Sequence, residues 1–164
     1  MMLKRTALVS ALLLGVGIII FLVYLVVNEF TGPEWQTREL EINYGKWRAE
    51  AITHYRISVE IGCFCEFYNR MPLVVEVLDN KVVSIIDNKG ERVSVRDSIR
   101  TDYSYLLTVD GIYSYAYDSI ARADEVHVDY DPKFAYPTGV GVDWEKDAVD
   151  DELGVRITNF EPLP

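Results

Sequence analysis

Cysteine and histidine are scarce in this chain, with two of each among 164 residues. Two thiols cannot build a four-thiolate zinc centre, and the Cys63-Phe64-Cys65 spacing is not the C-x-x-C of dithiol oxidoreductases. The chain also lacks a G-x-S-x-G elbow, a phosphate-binding P-loop and a dinucleotide fingerprint, which removes the commonest routes to hydrolase, nucleotidase and dehydrogenase chemistry. Cations are in deficit: 16 Lys and Arg stand against 26 Asp and Glu, a formal net charge of -10. Nucleic acid is therefore not an expected partner, because phosphate contacts need clustered Lys and Arg. With 49% hydrophobic and 26% charged residues the chain is neither disordered nor of low complexity, and its length suits one domain of ordinary size.

What is present is unevenly spread. Ala7 to Val27 is a run of 21 residues without a charge. As a helix it would be about 30 Å long, the thickness of the hydrocarbon core of a bilayer. The sequence Tyr24-Leu-Val-Val-Asn28-Glu-Phe offers no small-residue cleavage site, and no cysteine lies near enough for a lipoprotein anchor, so a retained signal anchor is expected. Lys4 and Arg5 precede the run and Glu29 and Glu34 follow it, the positive-inside arrangement. The expected organisation is a cytoplasmic N-terminus at 1–6, a transmembrane helix at 7–28, a linker at 29–33 and an extracytoplasmic domain at 34–164. The residues from 29 onward carry -12, because Lys4 and Arg5 are the only charges before them. An acidic domain of this kind stands off anionic headgroups.

Beyond the linker the periodicities alternate between helix and strand. Leu40, Tyr44, Trp47 and Ala51 fall at i, i+4, i+7 and i+11, which predicts a helix from Glu34 to Ala51 with Gly45 as its weak point. Tyr55, Ile57, Val59 and Ile61 then alternate with His54, Arg56, Ser58 and Glu60, a half-buried strand. Leu73 to Leu78 and Lys81 to Ile86 read as a hairpin turning at Asp79-Asn80. Asp87 to Tyr105 reads as loop with a short strand near Arg92 to Val95. Thr108 is placed to cap a helix running to about Ala123, with Asp110 in its first turn. Strands at Glu125 to Tyr130, Thr138 to Asp143 and Gly154 to Phe160 close the chain. The order predicts an α+β fold in which two helices pack on one face of an antiparallel sheet. Two successive helix-strand units are also compatible with an old duplication, although no internal sequence repeat accompanies them.

Three stretches carry a resemblance: Tyr55 to Cys65 with its Cys-Phe-Cys end, Val128 to Thr138 with Tyr130-Asp131-Pro132 and Tyr136-Pro137-Thr138, and Asp143 followed by Asp147 and Asp150-Asp151-Glu152. In this order they resemble an uncharacterised family of bacterial cell-envelope domains, anchored as lipoproteins or by one N-terminal helix, with CFC, YDPxxGYPT and late DDE motifs. The likeness covers Trp47 to Pro162. The resemblance implies an envelope location and no established activity. This chain departs from the pattern at Ala135, where the family usually has Gly, and it is less glycine-rich than the family around Gly139-Val-Gly141.

Each candidate site has a functional and a plain reading. Cys63 and Cys65 fall by parity on the face expected to be buried, and three states stay open: a disulfide, a pair of core thiols, or a redox or metal-binding pair. Tyr130, Asp131, Phe134, Tyr136 and Thr138 form a loop suited to a protein or peptide partner, or packed as a lid with Asp131 in an Asx turn. Asp143, Asp147, Asp150, Asp151 and Glu152 crowd carboxylates that suit calcium, but the EF-hand loop pattern is missing, and a solvated acidic loop is the favoured reading. His127 shares a strand face with Asp129 and Asp131, an arrangement open to a metal or a general base. Weighed together, these features favour a non-enzymatic binding or envelope-interaction module on a membrane anchor, with no cofactor beyond a candidate calcium. Thiol redox or metal-dependent activity at Cys63 and Cys65 is the alternative.

Overall fold

The computed structural model describes residues 14–26, 33–63, 66–98, 101–148 and 152–164. The chain divides into two compact units, Met1–Arg38 and Glu39–Pro164. In the first unit, residues 14–26 form a helix, α1, within the expected membrane run. The rest of that run lies outside the described residues, and among these no helix is long and apolar enough to cross a membrane. Leu14, Ile18, Phe21 and Leu22 of α1 are all exposed. Helix α2, Pro33–Ala49, begins in the first unit and ends in the second.

The second unit is α+β, built on a six-stranded sheet whose neighbours are all antiparallel. The strands are β1 His54–Gly62, β2 Leu73–Leu78, β3 Lys81–Ile86, β4 Glu125–Tyr130, β5 Pro137–Asp143 and β6 Leu153–Pro162, in the order β3-β2-β1-β6-β5-β4. Helix α4, Val109–Ile120, links the two three-stranded meanders.

Alternation along β1 does what its sequence demands. Tyr55, Ile57, Val59 and Ile61 are buried and continue laterally into Leu73, Val75 and Val77 on β2 and Val155 and Ile157 on β6. Helices α2 and α4 cover this face. Trp47 of α2 packs edge-on against Tyr55 and Phe160, each at 5.7 Å between ring centroids. Helix α4 buries Val109, Ile112, Tyr113, Tyr115, Ala116, Ser119 and Ile120.

Three tyrosines bolt α4 in place. The Tyr55 hydroxyl accepts the Val109 N–H at 3.0 Å, the Tyr115 hydroxyl donates to the Leu153 carbonyl at 3.1 Å, and the Tyr113 hydroxyl donates to the Ala135 carbonyl. Burial holds the ionisation of all three phenols above the ordinary tyrosine range, so they remain neutral hydroxyls. Thr108 caps α4 by accepting the Gly111 N–H at 3.1 Å. A side chain on Gly111 would collide with the Tyr105 carbonyl, because the preceding 3-10 turn, Thr101–Leu107, folds directly over the start of the helix.

Four sequence expectations need correction. Helix α2 stops at Ala49, and Ala51 lies beyond it, exposed and left-handed at φ 51, so it does not extend the apolar stripe. Helix α4 stops at Ile120, where the Ala123 N–H closes the end onto Ser119. The region from Asp87 to Tyr105 is not simple loop. It contains a third helix, α3, Val95–Ser98, and the start of the 3-10 turn, whose Leu106 and Leu107 reach the core. The short strand expected at Arg92 to Val95 is reduced to a single bridge between Arg92 and Ile86. The Asp79-Asn80 hairpin is as expected, with both residues at positive φ.

Candidate functional site

The sheet face turned away from the helices carries polar residues and a trough. Two lateral rows of residues build it. In one, Gly62 on β1 pairs with Gly154 on β6, which pairs with Gly141 on β5, which pairs with His127 on β4. In the other, Glu60 pairs with Arg156, then Gly139, then Asp129. Three adjacent glycines leave about 10 Å of sheet without side chains, given the usual strand spacing. The resulting cavity is about 670 Å³, with Tyr68, Met71 and Thr138 also lining it.

The fold does not require glycine along this floor. A Cβ at Gly141 would meet nothing within 4 Å, and at Gly62, Gly139 and Gly154 the nearest atoms lie 3.9, 3.6 and 3.8 Å away, ordinary contact distances. None of the four has a positive φ. Glycine weakens a strand interior, and its usual reasons there are a bulge, a bend or the close approach of another molecule. The register is uninterrupted at Gly62, Gly154 and Gly141, so no bulge accounts for these three, whereas Gly139 lies beside the shift between Asp129 and Tyr130.

The rim is polar and open. His127 Nε2 lies 3.2 Å from Asp129 Oδ1, with both side chains about two-thirds or more exposed. Arg156 forms no ion pair among the described residues, so its guanidinium is available to an incoming acceptor. The hydroxyls in the lining belong to Thr138 and Tyr68, and no described hydrogen bond joins either to His127. The arrangement sets polar groups around a bare floor.

Farther along the same face, His54, Arg56, Glu76 and Glu161 form a ladder across β2, β1 and β6. Glu76 takes His54 Nε2 at 3.2 Å on one oxygen and Arg56 at 3.4 Å on the other, and Arg56 also reaches Glu161 at 3.0 Å. The hydrogen bond to the Pro164 carbonyl, followed by that to Glu76, raises the His54 pKa. The His54 hydrogen bond is the largest influence lowering that of Glu76.

The other candidates from sequence occupy different places. Asp131 accepts the Lys133 and Phe134 N–H groups at 2.9 and 2.6 Å in an Asx turn. Tyr136 is buried and stacks on Phe160 at 4.5 Å, Phe134 leans on the same ring at 5.3 Å, and Tyr130 stacks on Tyr113. The loop's aromatic rings thus turn toward the protein, while Tyr130 and Asp131 border a polar depression of about 350 Å³ and Thr138 joins the trough. Ala135 sits at φ 60, the left-handed conformation in which the glycine of the resembled motif would be unstrained.

Cys63 follows the end of β1, half-buried against the core, and is disulfide-bonded. Cys65 lies outside the described residues, as do Asp150 and Asp151. Asp143 ends β5, Asp147 and Glu152 are exposed, and among the described residues no three His, Cys, Asp or Glu side chains are grouped to hold a metal ion. Asp131 is drawn into its own turn, away from the His127 and Asp129 pair with which it was expected to share a face.

The trough itself is not visible in linear sequence, because its glycines come from three strands that only the register brings together. The available signal is Gly139-Val140-Gly141, two glycines of equal parity in one strand. No curated protein and no solved structure matches the chain. A family model does, over residues 39–162, nearly the whole of the second unit, and its span takes in the sheet, helix α4, the part of α2 from Glu39 onward and the trough. The chain belongs to the family of unknown function DUF6174.

Proposed function

We propose that this chain is a membrane-tethered, non-enzymatic binding module that holds a protein or peptide partner in the glycine-floored trough on the outer face of its sheet. The observation that carries this reading is the floor: adjacent glycines in three strands where the fold itself would accept side chains. A bare sheet surface accepts a flat aromatic side chain of a partner, and Arg156, Asp129, His127 and Glu60 supply polar contacts around it. The anchor is the uncharged run from Ala7 to Val27, with the N-terminus cytoplasmic and the domain outside. The exposed apolar side chains of α1 and the bonded state of Cys63 support that placement, because disulfides persist in oxidising compartments.

Site-directed photocrosslinking in intact cells tests the trough. Benzoylphenylalanine in place of His127 should yield a discrete covalent protein adduct, and the same group in place of Val83 on β3 should not. Adding Gly141→Val should abolish the adduct while the chain still folds. Equal patterns from the two positions, or indifference to Gly141→Val, would overturn the reading. Alkaline extraction of membranes tests the tether: the full chain should stay in the pellet, and deletion of residues 7–27 should release it.

Cys65, the chain's other cysteine, is the proposed partner of Cys63. Intact mass after alkylation under denaturing conditions should show no modification until reductant is added, and two alkylations afterwards. Alkylation of both thiols without reductant would remove the disulfide and any redox reading built on it.

A further inference from the structure

A second cavity, of about 330 Å³, opens on the helical side of the domain. It is lined on α2 by Leu40, Glu41 and Tyr44 and on α4 by Tyr113, Ser114, Tyr117 and Asp118. Tyr44 and Tyr113 meet at 4.7 Å between ring centroids with their planes tilted by 51°, so π surface contributes to its wall. Tyr117 is half-exposed at 51% and stands at its mouth. Glu41 and Asp118 are exposed beside these rings. No Lys or Arg lines the cavity.

We propose that this cleft binds a small organic cation of the quaternary ammonium class. The exposed Tyr117 ring offers a negative π face, with Tyr44 and Tyr113 forming the wall behind it, which attracts a soft, weakly hydrated cation, and two carboxylates reinforce that attraction at longer range. The net charge of -10 adds a favourable field. The structure already shows one of these rings taking a cation: the Arg48 guanidinium, outside the cleft, lies 5.8 Å from the Tyr44 centroid. Asp118 is only loosely paired, its carboxylate 4.0 Å from Arg122 with both groups about two-thirds exposed, and so stays available. An anionic ligand would meet two carboxylates and no Lys or Arg in the lining itself. A neutral apolar ligand would gain nothing from them.

The test uses the full chain in a maltoside detergent, which carries no ammonium headgroup, with choline as the probe and its uncharged isostere 3,3-dimethylbutanol as the comparison. Amide chemical shifts of residues 40–44 and 113–118 should move saturably with choline, and the isostere should bind at least tenfold more weakly. Tyr117→Leu should weaken choline binding by about threefold to tenfold, the range of an exposed cation–π contact, while Tyr117→Phe should keep it. Because Tyr117 is exposed, neither substitution should disturb the fold, which unshifted amides elsewhere verify. Equal binding of choline and the isostere, binding of ammonium as tight as that of choline, absence of saturable shifts, or indifference to Tyr117→Leu would each overturn the assignment.

Discussion

On the covered face of the sheet, Tyr55, Ile57, Val59 and Ile61 are each 2% exposed or less, and the β2 side chains beside them, Leu73, Val75 and Val77, are fully buried. On the opposite face of the same strands, Gly62, Gly154 and Gly141 lie side by side with room above them for the atoms they lack. One backbone carries both patterns, so the difference cannot come from strand geometry. The covered face satisfies the needs of folding, and in the helix packed on it, α4, Gly111 is a glycine that the 3-10 turn leaves no alternative to. The open face contains glycines that folding does not ask for, and these point outward to whatever approaches them.

Exchanging alanine for glycine on each side breaks or sharpens that contrast most directly. Gly111→Ala should lose about 3 kcal/mol, the upper range for an overpacked site, and lower Tm by roughly 10 °C, read by thermal unfolding of the full chain. Gly141→Ala should leave stability unchanged or raise it by about 0.5 kcal/mol, because a strand interior favours a side chain over none. If Gly141→Ala were as damaging as Gly111→Ala, the open-face glycines would belong to the fold and the trough would lose its argument.

The tyrosine bolts come next in size. Tyr113→Phe leaves the Ala135 carbonyl without its donor, and Tyr55→Phe leaves the Val109 N–H without its acceptor. Each should cost about 1–2 kcal/mol in urea unfolding, the usual penalty for a buried polar group deprived of its partner. Tyr68→Phe, on the rim of the trough, should change stability by less than about 0.5 kcal/mol. Ala135→Gly is expected to act in the other direction. Relief of the left-handed conformation at φ 60 should raise stability by about 0.5–1 kcal/mol, after the greater freedom of glycine in the unfolded chain offsets part of the gain.

The covered face was far more legible in the sequence than the open one, for a physical reason. Burial imposes a period, so Tyr55, Ile57, Val59 and Ile61 announce a strand and its inward side, and Val109, Ile112, Tyr113, Ala116 and Ile120 announce a helix behind Thr108. Positive φ at two successive turn positions selects residues such as Asp79-Asn80, and the hairpin could be read there too. The 3-10 turn from Thr101 to Leu107 has no sustained period, so its residues up to Tyr105 read as loop, although the turn goes on to bury Leu106 and Leu107. The trough depends on which strands become neighbours. Gly62 and Gly154 are 92 residues apart, and nothing local to either foretells the pairing that joins them. The aromatic loop shows the converse: its residue types read equally well as a binding surface or as packing, and only the structure shows Tyr136 and Phe134 against Phe160.

The smallest expected effect lies on the open face and concerns pH. His54, raised by its bonds to the Pro164 carbonyl and Glu76, favours folding when protonated, so its contribution is complete below its ordinary value of 6.5 and disappears as pH climbs through the higher value it has in the folded chain. Glu76, lowered chiefly by His54, contributes above its ordinary value of 4.5, and that contribution disappears as pH falls through its lower folded value. The two overlap where both groups are charged. A stability profile of the full chain minus that of Glu76→Gln should therefore form a shallow maximum between pH 4.5 and 6.5 and decline on both sides. On the alkaline side a remnant should persist, because Arg56 still pairs with Glu76 after His54 has lost its proton. Raising the salt concentration should flatten the maximum, since these groups are open to solvent. A difference profile that stays flat from pH 4 to 8 would mean that the ladder holds no measurable stability.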